Sequence, residues 1–289
     1  MSDATGGADL PLVVLAAGRA KRYGGCKPLA PVGPHGEAVI DLVASDALAA
    51  GFTSIVMVLG PSTGPAIRYH VEHTWPRDVE VHFATQPVPL GTVDAVLSAS
   101  EHVGDRPYGV GNADDIYGRD GCALLAEHLR RPGSDNALVG YRLANAVIGF
   151  SPVTRGICRV SPDGRLEGVD ERRQVTAMPD GGFVAGDGRE PAQLSPDARV
   201  SMNLWGFTPA FHQVLQAAMD AAGDASEESE VLLPEVVAAS LATASFTVLP
   251  ATGRCIGVTH PDDLSLVQAE LNRQVASGER PAALWTSLC

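Results

Sequence analysis

Cysteine is scarce in this chain. Cys26, Cys122, Cys158, Cys255 and Cys289 are scattered over 289 residues. They are odd in number and never form a C-x-x-C pair, which argues against a disulfide framework and against a zinc site. Basic charge is also short. Lys and Arg total 21 against 34 Asp and Glu, a formal net charge of -13. That balance disfavours non-specific nucleic-acid binding, which needs a basic face. No apolar run approaches the roughly 20 residues that cross a bilayer, so no membrane partner is expected. The basic-then-apolar layout of a secretory signal is missing as well. A soluble, cytoplasmic protein is the expectation.

Hydrophobic residues make up 45% and charged residues 19%, an ordinary globular composition. The length suffices for one large α/β domain or two modest ones. Residues 1–9 are small and polar and read as a disordered tail. There are no internal repeats.

In the first half, apolar runs alternate with helical patterns. Residues 12–16, 54–59, 79–84, 108–111 and 137–141 read as strands. Residues 38–50, 66–75, 92–102 and 122–131 read as helices. Continuous apolar strands between helices predict an α/β fold, a Rossmann-like and mostly parallel sheet flanked by helices. The second half reads as a smaller α+β region. It has turns at 161–164 and 178–182, strands at 200–207, 247–249 and 255–258, and helices at 209–222, 232–242 and 262–276. The Gly-, Pro- and Asp-rich stretch 182–197 reads as a mobile lid or loop, and the tail from 278 carries no signal. The expected organisation is one domain over residues 10–277, split near residue 143.

Three loops carry candidate chemistry. Directly after the first strand come Ala16-Ala17-Gly18 and a loop holding Arg19, Lys21, Arg22 and Lys27. A cationic loop in an anionic chain points to bound phosphate. It is neither a Walker A loop nor a G-x-G-x-x-G fingerprint, yet Gly18 would let backbone N–H groups approach phosphate oxygens. Cys26 lies in this loop. Either the basic setting lowers its thiol pKa, or it is a small residue in a tight turn. The second loop is Asn112-Ala113-Asp114-Asp115. Adjacent carboxylates suit Mg²⁺, which keeps the rest of its shell for phosphates and water; an Asx turn or helix N-cap is the plain structural alternative. The third is Gln86-Pro87-Val88-Pro89-Leu90-Gly91-Thr92. Gln86 could read a base edge, or the segment could be a connector capped by Thr92. Ligands of parallel sheets bind at the carboxyl ends of strands, where the first two loops would lie.

Together, the L-A-A-G-x-x-x-R…K-P, Q-P-x-P-L-G-T and N-x-D-D segments resemble the nucleotidyltransferase superfamily that includes the sugar-1-phosphate nucleotidylyltransferases. Val169-Asp170-Glu171-Arg172 is similar to that family's E-K segment, and residues 200–207 to its sugar-side strand. The resemblance implies Mg²⁺-dependent transfer of a nucleotidyl group from an NTP to a sugar 1-phosphate. It implies that Ala16, Ala17 and Gly18 hold nucleotide, and that Gln86, Gly91 and Thr92 flank the base. Arg22 would hold the triphosphate, Lys27 the α-phosphate and Asp114 the Mg²⁺. Glu171, Arg172 and Asn203 would take the acceptor.

Two departures stand out. The spacing from Arg22 to Lys27 is short, nearer to the molybdenum-cofactor and methylerythritol-phosphate cytidylyltransferase branches than to sugar-specific enzymes. Gly257 stands where the sugar enzymes have a second metal-binding Asp; Asp262 is close by but reads as the cap of the last helix. A non-sugar acceptor, such as a polyol phosphate or cofactor precursor, and an inactive nucleotide-sugar-binding regulator are the alternatives. Self-association is left open.

Overall fold

The computed structural model describes residues 9–18, 25–223, 230–257 and 263–285. Arg19, Lys21, Arg22 and Asp262 lie outside these residues.

Four parallel strands form one wing of the main sheet. They are β1 (Pro11–Ala16), β2 (Ser54–Leu59), β3 (Val81–Thr85) and β4 (Tyr108–Asn112), in the order β4-β1-β2-β3. Their apolar runs are continuous because both faces are covered. In β1, Leu12, Val14 and Ala16 enter one buried cluster, and Val13 enters the other. Beside the first cluster pack α1 (Val39–Ala49), α2 (Gly64–Thr74) and α5 (Gly118–Arg130). The start of α1 is fixed by Asp41, whose carboxylate accepts from the Ala38 N–H at 2.8 Å.

The helix expected over 92–102 is two helices, α3 (Thr92–Leu97) and α4 (Ser100–Val103). The Ser98 and Ser100 hydroxyls donate to the carbonyls of Asp94 and Leu97. Such local bonds compete with the helical ladder.

After β4 comes a short β5 (Asp115–Ile116), then β6 (Asn136–Arg142), α6 (Leu143–Ala146), β7 (Val153–Val160) and β8 (Leu166–Ala177). The stretch 182–197 is not the expected lid. It supplies β9 (Phe183–Ala185) and β10 (Gln193–Leu194), which extend the antiparallel run β7-β8-β9-β10. Phe183 and Ala185 are buried. That anchoring apolar pair is hidden among turn-forming residues.

Strand β11 (Arg199–Phe207) joins the two wings. It runs antiparallel to β6 on one side. Its other side is shared: β7 pairs at Val200 and Ser201, β4 pairs at Trp205 to Phe207, and the register shifts between. Asn203 sits at that shift with φ 59°, in the left-handed region that Asn tolerates better than most residues. Behind it, Trp205, Phe207 and Phe211 are buried together with Phe246, which holds the junction in a packed core.

The chain continues through α7 (Pro209–Ala222), α8 (Leu233–Ser240), β12 (Phe246–Pro250), β13 (Ile256–Gly257) and α9 (Leu264–Ala276). Strand β12 lies parallel to β6, and β13 pairs with β5. The tail that carried no sequence signal packs on α1. Arg280 is buried and makes a bidentate pair with Asp46 at 2.7 and 2.8 Å, and the Trp285 ring lies 5.3 Å from that of Trp75. Among the described residues, no helix is long and apolar enough to cross a membrane.

Candidate active site

Two clefts open along the carboxyl edge of the parallel wing and the face of the antiparallel one. The first has a volume of about 530 Å³. It is lined by Ala17, Gly18, Gln86, Gly91, Thr92 and Asp114, among others. The second, about 540 Å³, is lined by Asp115, Arg155, Glu171, Arg173, Ser201 and Glu235, among others. Asn203 lines both. The residue at the register shift of β11 is therefore the wall that the two clefts share.

The sequence-expected nucleotide residues converge on the first cleft. Ala17 and Gly18 leave the end of β1 there. Ala16 faces away, and its carbonyl accepts from the Thr63 hydroxyl at 3.3 Å. Gln86 is buried, and its amide nitrogen donates to the Gly91 carbonyl at 3.0 Å and to Asp94 Oδ2 at 2.8 Å. With both N–H groups taken, the Gln86 oxygen is left as an acceptor for whatever enters the cleft.

Gly91 has φ 108°, and a Cβ there would lie 2.4 Å from the Val231 carbonyl. Glycine alone fits, because the segment before α8 crosses here. Val231 N–H donates to Leu90 O at 2.9 Å, and Val93 N–H donates to Val231 O at 3.1 Å. Thr92 is not the cap of α3; Gly91 occupies that position. The Thr92 hydroxyl instead accepts from Leu233 N–H at 2.7 Å, tying the loop to α8.

Lys27 opens a single 3-10 turn (Lys27–Leu29), and its Nζ lies 3.7 Å from Asp114 Oδ2. Their side chains are 18% and 38% exposed; Asp114 lines the first cleft, and Lys27 reaches it only through its contact with Asp114. The thiol of neighbouring Cys26 has its pKa raised by burial. That overturns the reactive-thiol reading and leaves the small residue in a tight turn.

Asp114 lies in the turn between β4 and β5, and Asp115 begins β5. The two adjacent carboxylates therefore face different clefts. Asp115 Oδ2 accepts from the Asn112 amide at 2.9 Å. Burial, then the neighbouring Asp114 charge, raises the Asp115 carboxyl to about 7. Its other oxygen fills the space beside Gly257, where a Cβ would lie 2.6 Å from Asp115 Oδ1. This explains the glycine in physical terms: β13 passes too close to Asp115 for a side chain.

The residues that the sequence resemblance implied for an acceptor divide. Glu171 lines the second cleft. Arg172, next to it on a strand, points to the opposite face. It is buried, and its guanidinium donates to both oxygens of Asp187 at 2.7 and 3.0 Å and to the carbonyls of Arg189 and Pro191. Arg172 clamps the connection between β9 and β10. Arg173, not singled out from the sequence, lines the cleft beside Glu171. Strict alternation along β8 was the available signal. Arg155 on β7 was also missed, because nothing in its local sequence marks it.

Asp114 and Asp115 supply oxygen donors only. Among the described residues, no group of three or more His, Cys, Asp or Glu side chains is arranged to hold a metal. That donor set fits a hard cation held by one or two carboxylates and completed by phosphate and water.

Residues 12–155 match the model of the MobA-like NTP transferase domain. The match takes in just under half of the chain, and it is this part that resembles an NTP transferase domain. The match covers β1 to β6 and the start of β7, including Gln86 and Asp114 of the first cleft and Lys27 beside Asp114. The chain is also similar to a glucose-1-phosphate thymidylyltransferase of Mycolicibacterium smegmatis, 26% identical over 167 residues. That alignment covers 55% of this chain and 54% of the relative, so the chain spans about half the length of the curated relative it matches. The chain thus resembles the sugar-1-phosphate nucleotidylyltransferases, as the three loops implied.

Proposed function

We propose that this protein transfers a nucleotidyl group from an NTP to a sugar 1-phosphate, releasing pyrophosphate. The observation that carries the reading is the pair of clefts sharing Asn203, with Lys27 and Asp114 on the nucleotide side. One cleft takes the NTP and the other the acceptor. The 12–155 half would hold nucleotide, and the later half acceptor.

In this reading a phosphate oxygen of the acceptor attacks the α-phosphorus in line. The oxygen is already ionised, so no general base is required. The remaining task is to bring two anions together and neutralise the charge that accumulates. Lys27 provides a cation beside the α-phosphate; Arg22, five positions earlier in the sequence, lies outside the described residues. Ala17 and Gly18 let the backbone approach the phosphates, and Gln86 offers its oxygen to a base N–H. Asp114 would hold Mg²⁺, which supplies charge neutralisation and orientation of the phosphates when bound.

The acceptor could instead be a non-sugar phosphate, a reading favoured by the short Arg22-to-Lys27 spacing. Pyrophosphate release, measured for each NTP against sugar 1-phosphates and polyol phosphates, tests both. Release only with a sugar 1-phosphate supports the proposal. Release only with another phosphate transfers it to that acceptor, and release with none contradicts it.

A further inference from the structure

Three arginines stand near the second cleft, and they differ in what their guanidinium groups already do. Arg172 is fully engaged by Asp187 and two carbonyls on the far face of β8. Arg173 lines the cleft, but its Nε donates to Glu171 Oε1 at 2.9 Å, and 73% of its side chain is exposed. Arg155 is different. It lines the cleft from β7, and its contacts are to neutral carbonyls. Nε and Nη2 donate to Ala146 O at 3.0 and 2.8 Å, and Nη1 donates to Thr154 O at 2.8 Å. The charges of Asp115 and Asp263 act on it through space, while its hydrogen bonds go to carbonyls.

A guanidinium carries five N–H groups. These bonds occupy one on each of the three nitrogens. One N–H therefore remains on each terminal nitrogen, a fork that matches two oxygens of a phosphate. The carbonyl of Ala146, accepting twice, holds the plane of that fork at the end of α6. A fixed cation in a cleft whose hydrogen bonds all go to neutral carbonyls still has donors to offer an entering anion.

The position suits the chemistry. Asp115 lines the same cleft, and it follows directly on Asp114 at the nucleotide cleft. Arg155 is near enough to Asp115 for the two charges to interact. A phosphate on Arg155 would thus lie by the seam between the clefts, where the acceptor's nucleophilic oxygen is required. The rest of the acceptor would extend toward Glu171, Ser201 and Glu235, which offer hydrogen-bonding groups to hydroxyls.

Resting on the proposed function, we infer that Arg155, and not Arg172, receives the phosphate of the acceptor. The role passes from the strand that the sequence resemblance indicated, β8, to its neighbour β7.

The test measures pyrophosphate release with glucose 1-phosphate for the wild type, Arg155→Gln, Arg155→Lys and Arg173→Gln, together with binding of inorganic phosphate. Arg155→Gln should raise KM for glucose 1-phosphate by about tenfold or more, with KM for the NTP changed less than about twofold. Arg155→Lys keeps the charge without the fork and should fall between. Arg173→Gln should change KM less than Arg155→Gln does. Circular dichroism establishes that the variants fold; if Arg155→Gln does not, Arg155→Lys decides by the same KM split. An unchanged acceptor KM in a folded Arg155 variant overturns the assignment and leaves nucleotidyl transfer standing. If the wild type uses no sugar 1-phosphate, the proposed function fails by itself. Inorganic phosphate then decides for Arg155: binding at least about tenfold weaker in Arg155→Gln keeps the assignment, and equal binding overturns it.

Discussion

The ammonium of Lys27 stands 3.7 Å from the carboxylate of Asp114. One comes from the turn after β1 and the other from the turn after β4, neighbouring parallel strands. Their carboxyl ends bring the two together from distant parts of the chain. Without ligand each offsets the other's charge; a phosphate would compete for the lysine.

Lys27→Ala should therefore lower turnover by about a hundredfold or more, the scale expected for removing a donor to developing charge. Binding of the acceptor should weaken far less. Steady-state kinetics with pyrophosphate detection checks this, and near-normal turnover would remove Lys27 from the chemistry.

Gly257 and Asp115 should behave as a coupled pair. A methyl group at 257 has no room while Asp115 Oδ1 occupies the site. Gly257→Ala should destabilise by about 1–3 kcal/mol, the usual cost of overpacking. Added to Asp115→Ala, which removes the obstructing oxygen, the same change should cost clearly less. Urea unfolding of the two single variants and the double variant measures the coupling, and strict additivity would contradict it.

Much of this architecture was legible in the sequence, and the failures have physical causes. Strands β1, β2 and β4 were readable because burial on both faces imposes continuous apolar runs. Strands β9 and β10 were not, because two or three residues between glycines and prolines carry too little pattern. The residues proposed for the nucleotide could be grouped from the sequence because they lie in three compact loops. The acceptor side depends on which face of a strand each side chain takes. Arg172 and Arg173 are indistinguishable in composition, and only alternation separates them. Arg155 acquires meaning from the carbonyls and the cleft around it, neither of which is local in sequence.

Asn203 tests the junction between the two wings. Its φ of 59° is costly for most L-residues, about 1–2 kcal/mol. Asn203→Gly and Asn203→Ala both lose the side chain, including the long 3.4 Å contact from the Trp205 indole N–H. The glycine variant should nevertheless be more stable than the alanine variant by about 1 kcal/mol. Equal stability in thermal unfolding would argue that the left-handed geometry is not kept.

The Arg172–Asp187 clamp should appear in the acid limb of stability. Hydrogen bonds from Arg172 hold the Asp187 carboxyl well below the usual carboxylate range. A carboxylate lowered in the folded state contributes stability above its unfolded pKa of about 3.9, and that contribution fades as pH falls further. Asp187→Asn should lower the melting temperature at neutral pH, with the difference narrowing below about pH 4. A difference that is constant from pH 3 to 7 would show that the carboxylate charge is not what the clamp uses.

The most direct test of nucleotidyl transfer follows the phosphorus atoms. The purified protein is incubated with Mg²⁺, a sugar 1-phosphate and an NTP labelled at either the α- or the γ-phosphate. Transfer by attack at the α-phosphorus places the α-label in an NDP-sugar and the γ-label in pyrophosphate. Appearance of the γ-label in the sugar product, or as inorganic phosphate without NDP-sugar, would contradict it.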